Sequence, residues 1–406
     1  PPRSTLFPYT TLFRSINFIN KYDFSFQFHP DDSNVTDADI EKFLIKDYNQ
    51  NLLVFVNGFY SQRLSKLKPK GERIWIGSFA DALNKRERLI EYYFNQYSNY
   101  EKDPFIALNT AYANDGACIF IPDGMEDVEP IHLLFVNDTR NNPLITQPRN
   151  LIVAGCCAKL HIVQTVHTLG DKPSFSNTVT EIIQKPYSQV DFYEYQADSN
   201  NSYLIENNNV VQEKGSVFNS AAITLDGAFV RNNLTSVLNE EAVETHFYGF
   251  YYLDGKNFVD NHTFVDHAKP NCISNEIYKG ILDQEAKAVF NGKVLVRKDA
   301  QKTNAYQTNR NIVLSDDASI NTKPQLEIFA DDVKCSHGAT SGYLDQDAMF
   351  YLKARGIPED KAKALLLNAF AGEIVEKINI DQLRDAIKTK ISERLNVEDI
   401  YFCDII

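Results

Sequence analysis

Apolar and polar positions change rhythm along the chain, and the changes divide it into three stretches. From about residue 116 to residue 330 short apolar runs follow one another without a helical period, at 118–121, 131–136, 151–154, 160–166, 179–183 and 190–195. The series continues at 223–225, 246–252, 258–265, 288–296, 312–314 and 326–329. The runs are rich in Val, Ile, Phe and Tyr, and Asn, Asp, Gly and Ser fill the gaps, as strands require. Two all-β solutions fit: a sandwich of antiparallel sheets, or a parallel β-helix of short coils. Intervening helices are missing, so βαβ pairing is disfavoured. Two-residue hairpin signals are few, Asp226-Gly227 and Asn291-Gly292 being the best. Irregular spacing without a strict repeat leans toward the solenoid, although composition does not separate the two.

Before this stretch the pattern is mixed α/β. A helix is predicted over 36–48, capped by Thr36 or Asp37 and carrying Ile40, Phe43, Leu44 and Tyr48. Residues 52–56 read as a buried strand closed by Asn57-Gly58, and 74–76, with the only Trp, as another. A second helix is predicted over 83–97, with Leu89, Tyr92, Tyr93 and Tyr97 on one side. Asn57-Gly58 and Pro69-Lys70-Gly71 punctuate the segment. Residues 1–15 show neither period and resemble a translated sequencing adaptor. They are expected to be a scar on a truncated N-terminus and are set aside from fold reasoning. The same Thr5–Ser15 string in a homologous gene from a cultured isolate would contradict this.

After residue 343 the pattern turns helical. Leu344, Ala348, Tyr351 and Leu352 form one stripe, ended by Gly356. Pro358 opens a second helix in the favoured first-turn position, with Ala362, Leu365, Leu366, Ala369, Phe370, Ile374 and Ile378 expected on its buried face. A third, over about 381–395, shows Leu383, Ile387, Ile391 and Leu395. Such helices would cap the last apolar layer of a solenoid, or dock a partner. The expected domains are therefore 16–115, 116–343 and 344–406, behind the 1–15 scar.

Composition narrows the function classes. The 406 residues are 43% hydrophobic and 23% charged, with a net charge of −13. That balance argues against nucleic acid, whose binding rests on Lys and Arg contacts to phosphate. No apolar run approaches the roughly 20 residues of a membrane span, and no secretion signal is visible, so a cytoplasmic protein is expected. The phosphate loop, the Gly-x-Gly-x-x-Gly turn, the His-Glu-x-x-His helix and the Gly-x-Ser-x-Gly elbow are all absent. The six cysteines lack Cys-x-x-Cys spacing, so neither a standard zinc site nor a ferredoxin-type cluster site is expected. Vicinal Cys156-Cys157 reads as structural packing.

One stretch concentrates chemistry. Residues 324–342 begin as an alternating strand and then crowd Asp331, Asp332, Lys334, Cys335, His337 and two glycines together, where the chain turns helical. Lys334 or a protonated His337 beside Cys335 would favour its thiolate, the metal-binding form. The bland reading is a packed Cys and a His that satisfies strand or helix ends.

The string Leu326-Glu327-Ile328-Phe329-Ala330-Asp331-Asp332-Val333-Lys334-Cys335-Ser336-His337-Gly338-Ala339-Thr340 strongly resembles the SufB/SufD family of iron–sulfur cluster assembly proteins. So do Ala300-Gln301-Lys302-Thr303, Asn311-Ile312-Val313-Leu314-Ser315, Tyr278-Lys279-Gly280-Ile281, and Phe350-Tyr351-Leu352 with Arg355-Gly356-Ile357. Weaker matches at Val54-Phe55-Val56-Asn57-Gly58 and Leu108-Asn109 extend the resemblance over nearly all the chain after residue 50.

The resemblance implies a mainly β fold, a right-handed parallel β-helix with an N-terminal α/β segment and a C-terminal helical domain. It also implies a non-catalytic scaffold that pairs with the paralogue SufB through the β-helix. The SufC ATPase would dock on the C-terminal helices, around Phe350, Tyr351, Arg355, Gly356 and Phe370. ATP-driven pairing of SufC subunits is then expected to pull on those helices and rearrange the interface. His337, with Cys335 as a tentative second ligand, would sit at that interface and help form a transient Fe–S cluster, held poorly by this chain alone. Thr308, Asn309 and Arg310 occupy the neighbourhood in which SufB carries its cluster-building cysteine. A flavin is neither implied nor excluded, and homodimerisation of the isolated chain stays open. The competing readings are a β-helix polysaccharide lyase or hydrolase using Asp254, Asp260, Asp266, Asp331 and Asp332, and a scaffold without ligands.

Overall fold

The computed structural model describes residues 18–48, 51–68, 73–126 and 128–395. The adaptor-like residues 1–15, the Pro69-Lys70-Gly71 turn signal and Cys403 lie outside these. The body is a parallel β-solenoid of about 8 turns. Its strands alternate between two sheets, one 11-stranded and one 10-stranded among the described residues, so that neighbours in a sheet are one coil apart in sequence. Parallel neighbours ordinarily need a long crossover; here the crossover is the strand of the opposite sheet. The in-register pairing of Phe258–His267 with Lys287–Val296, and of Ile273–Leu282 with Thr303–Val313, is typical.

One corner of the coil repeats with little variation. Cys157, Tyr187, Gly215, Ala242, Asn271 and Lys302 all adopt a left-handed backbone, with φ between 58° and 63°. Each donates its N–H to a carbonyl one coil further on: Pro186, Lys214, Glu241, Pro270, Gln301 and Asp332 in turn. A left-handed L-residue costs about 1–2 kcal/mol, and the recovered hydrogen bond offsets much of that. Cys156-Cys157 therefore forms a surface corner and not core packing. Neither expected hairpin is one. Asp226-Gly227 links strands of different sheets, and Asn291-Gly292 lies inside Lys287–Val296.

The sequence pattern missed Ser202–Gln212, Phe229–Leu238 and Ile273–Leu282 because the interior of this solenoid is partly polar. Asn208 donates to Glu194 Oε1 at 2.7 Å, Gln164 and Gln196 donate to Glu206 at 2.6 and 2.7 Å, and Asn232 donates to Asn261 at 2.9 Å. Inward-facing Asn, Gln and Glu break the apolar alternation while still satisfying one another. Glu194 and Glu206 lie side by side, and burial with the mutual repulsion pushes the Glu194 carboxyl well above its usual range.

The N-terminal segment is built onto the solenoid. Asn51–Val56, fully buried, pairs in parallel with Ile131–Asp138, and Asn57 (φ 53°) and Gly58 (φ 86°) turn it into Phe59–Tyr60. Trp75–Ser78 adds an antiparallel strand to Ala117–Ile121. The expected 36–48 helix shortens to Asp37–Glu41, with Thr36 and Asp39 forming a capping box. Beyond it, burial of Ile45 and Tyr48 against the C-terminal helices outweighs the local period. The 83–97 helix is instead Phe79–Lys85 and Glu87–Tyr93, broken at Arg86, and Tyr92 and Tyr97 face solvent where Ile90 is buried.

The tail forms Gln346–Ala354, Glu359–Val375 and Asp381–Arg394. In the first, Met349 is buried and Tyr351 is exposed. The second buries Ala364, Leu367, Ala371 and Val375 as well as Ala362 and Ile374, and leaves Ala369 outside. It is apolar on most sides, so periodicity alone does not fix its buried face. The third buries Leu383, Ile387 and Ile391 as expected. These helices do not cap the solenoid. They pack on its flank against Tyr193, Ile223, Tyr248, Phe250 and Ile281. Lys279 pins the long helix there, pairing with Glu373, donating to the Phe370 carbonyl at 3.1 Å and lying 4.2 Å from the Phe370 ring. Among the described residues the last coil, Ser319–Ile328 and Val333–Gly342, is left uncovered as the end strand of each sheet.

Candidate functional site

The stretch expected to be a junction is itself a strand. Val333–Gly342 pairs along its whole length with Thr303–Val313 and, among the described residues, has no strand on its other side, so it forms the open edge of the 10-stranded sheet. Polar and small residues, with two glycines, hid it from a search for apolar runs. Val333 and Cys335 pack against the main core, which places them on the inward face. Alternation then puts His337, Ala339 and Ser341 on that face, and Lys334, Ser336 and Thr340 on the outer one. His337 is exposed, because among the described residues no further coil stands over it. Phe329, Tyr343 and Ile328 are 63%, 71% and 40% exposed around the same end.

Beneath this edge lies a floor of buried polar side chains. Cys335, His337, Ala339 and Ser341 stack in register on Ala305, Gln307, Asn309 and Asn311. Asn311 donates to Asn309 at 2.7 Å, and its own carbonyl oxygen lies 2.5 Å from the Tyr251 hydroxyl. Gln307 donates to Glu276, which also accepts from Thr263 on the opposite sheet at 2.6 Å. The expectation for Cys335 is corrected. Burial pushes its thiol up, against a weaker opposing effect of the backbone at Ala305, and Lys334 is on the other face. Cys335 and His337 share the inward face two positions apart. Among the described residues no cluster of three or more His, Cys, Asp and Glu suited to a metal ion is present.

Burial raises the Glu276 carboxyl to about 7, with the bonds from Thr263 and Gln307 opposing it. Its folded pKa lies above its unfolded value, so the folded state holds a proton that the unfolded state has lost. Stability from this group is fully present below about pH 4 and is lost as pH rises toward 7. Glu276→Gln is expected to raise the melting temperature at pH 8, by an amount on the order of 3 kcal/mol of stability. At pH 4 the variant and the wild type should melt together. Thermal melts at the two pH values check this, and an equal shift at both would contradict the assignment.

The other expected residues are placed as follows. Phe350 and Tyr351 are 74% and 56% exposed, Arg355 lies over the Tyr351 ring at 4.9 Å, and Gly356 ends the helix at φ 85°. Phe370 is apart from them, half-buried against the solenoid beside Lys279. The carboxylates of the lyase reading do not converge. Asp254 pairs with Arg394 at 2.7 Å, Asp260 with Arg231 at 3.1 Å and His262 at 2.7 Å, and Asp266 with Arg297 at 2.6 Å. Asp260 and Asp266 stand six positions apart on one strand, roughly 20 Å, against the roughly 5–9.5 Å that glycoside hydrolysis needs. Asp331 and Asp332 are exposed at the final corner.

Residues 135–370 match the family model described as "SUF system FeS cluster assembly, SufBD core domain". The chain belongs to the SufBD family. Residues 10–133 match the model of the SufBD protein N-terminal region. An iron–sulfur cluster assembly SufBD family protein of Synechocystis is 37% identical over 366 residues, 88% of this chain and 80% of that protein. The iron–sulfur cluster assembly protein SufD of Escherichia coli is 36% identical over 193 residues, 48% of this chain and 45% of its own length. A chloroplastic protein of Arabidopsis thaliana, ABCI7, is 26% identical over 345 residues, 83% of this chain. As a SufBD family member the chain is a component of iron–sulfur cluster assembly, and the polysaccharide reading falls away. Among the described residues no helix is long and apolar enough to cross a membrane.

Proposed function

We propose that this chain is the SufD-type, non-catalytic scaffold subunit of a SUF assembly complex working in the cytoplasm. In this reading its open last coil is completed by SufB, and His337 forms half of the site where the nascent cluster, the cargo of the complex, is built. The observation that carries it is the unpaired Val333–Gly342 edge, which presents His337 and a half-buried Cys335 at an uncovered solenoid end. An edge strand of this length is a template for another chain unless something protects it, and flanking helices leave it bare. The Cys-Ser-His-Gly-Ala-Thr form resembles SufD, and relatives named SufD are similar to this chain, which together favour this branch over the SufB branch.

The SufC ATPase would dock on the exposed face of Gln346–Ala354, where Phe350, Tyr351 and Arg355 stand together. Phe370 instead braces the neighbouring helix to the solenoid through Lys279. A pull on the docked helices would thereby reach Ile273–Leu282, one strand from Thr303–Val313 and two from the open edge. Co-purification with SufB and SufC, with and without residues 345–406, tests the docking. The truncated chain is expected to keep SufB and lose SufC, and retention of SufC after the deletion would refute the assignment.

A further inference from the structure

Directly behind His337 the solenoid interior carries a polar column with a gap in its hydrogen bonding. On the inward face His337 stacks on Gln307, and Gln307 on Glu276. Both Gln307 and Glu276 are 1% exposed. Gln307 Nε2 donates to Glu276 Oε2 at 3.1 Å, and Thr263 holds the same carboxylate oxygen from the opposite sheet. The amide also lies against Gly292, where a Cβ would come within 2.2 Å of Nε2. Glycine there leaves the space the amide occupies.

With Glu276 ionised, these contacts fix the direction of the Gln307 amide. Its NH2 points at Glu276, so its Oε1 is the end left over, buried and without a hydrogen-bond partner. A buried acceptor without a donor is rare in native structures and calls for an explanation. Across the last coil, Pro324 stands above Gly292 and has no N–H to offer. The next side chain up the column is His337, one strand spacing of about 4.8 Å away. Its imidazole N–H is a donor of the required kind.

We infer that Gln307, oriented by Glu276, is the positioning residue of His337. Its Oε1 takes the proton-bearing ring nitrogen, fixes the tautomer, and leaves the lone pair of the other nitrogen turned out of the solenoid end. Ligating histidines in general hold the second ring nitrogen in this way, and the partner sets ring orientation and basicity. The inference rests on the role given to His337 above, and makes that half-site a preorganised one. Gln307 touches no cargo and acts only through His337.

Nitrogen NMR of the histidine-labelled full chain tests it. His337 is expected to show a single tautomer in the wild type and a mixture in Gln307→Leu. Maturation by the assembled complex is expected to fall about 10–100-fold in Gln307→Leu. A tautomer mixture in the wild type, or a single tautomer that survives Gln307→Leu, overturns the inference. The wild-type spectrum decides even where a variant fails to fold. Should His337→Ala mature clusters normally while the tautomer result holds, the positioning stands and the cluster role of His337 falls.

Discussion

His337→Ala is expected to leave the chain folded and assembled with its partners while cluster maturation falls at least about tenfold. The side chain is exposed and sits on a strand held by backbone pairing with Thr303–Val313, so its loss should change stability by less than about 0.5 kcal/mol. The loss of function would come from the missing ligand at the open edge. Cys335→Ser should cost less, because burial disfavours the thiolate that would bind iron. Reconstitution with SufB and SufC, read as the rate of cluster transfer to an apo-acceptor, measures both. Normal rates for His337→Ala in an intact complex would remove the site from the account.

Gly280→Ala is expected to be strongly damaging in the body of the solenoid. Gly280 stands in register between Tyr251 and Asn311. The Tyr251 ring crosses over it so that its hydroxyl reaches Asn311. An added methyl would lie 2.0 Å from Tyr251 Cε2 and 2.7 Å from Asn311 Oδ1. The ring is buried on all sides, so relief requires strand displacement or loss of the hydrogen bond. Overpacking of this kind costs about 1–3 kcal/mol, and the broken bond adds roughly another 1 kcal/mol. Gly338→Ala is the matched control, since nothing lies within 4 Å of a Cβ there. Urea denaturation should show a large midpoint drop for the first and almost none for the second. Similar midpoints would mean that the Tyr251 packing is more adaptable than its surroundings indicate.

How much of this was legible in the residues depended on where polar side chains face. Strands such as Lys287–Val296 and Glu244–Leu253 announced themselves through apolar runs. Ser202–Gln212 did not, because Asn207, Asn208 and Asn209 interrupt it and Asn208 turns inward to Glu194. The same physics hid the site. Val333–Gly342 is a strand by its pairing, but its outer neighbour is missing, so nothing in its composition needed to be apolar. The resemblance located His337 and Cys335, whereas Gln307 and Glu276 are recognisable only once the register stacks them. The left-handed corners were invisible for a related reason: Gly fills only one of the six, and Tyr187, Ala242 and Lys302 carry no turn signal.

The tail shows the limit of periodicity. Its three helices were placed within a few residues, but their destination was not, since an apolar face does not specify what covers it. They lie on the flank through Lys279 and the aromatic surface around Tyr248, and the solenoid end stays open. That openness is the central claim, because in the proposed reading an end strand becomes half of an interface.

Hydrogen–deuterium exchange over residues 333–342, in the isolated chain and after SufB is added, tests it most directly. The isolated strand has a ladder on one side only, so the amides facing the open side should exchange quickly. Addition of SufB is expected to slow them, with the change concentrated in this strand. A complex that forms while exchange across residues 333–342 stays as fast as before would contradict the account.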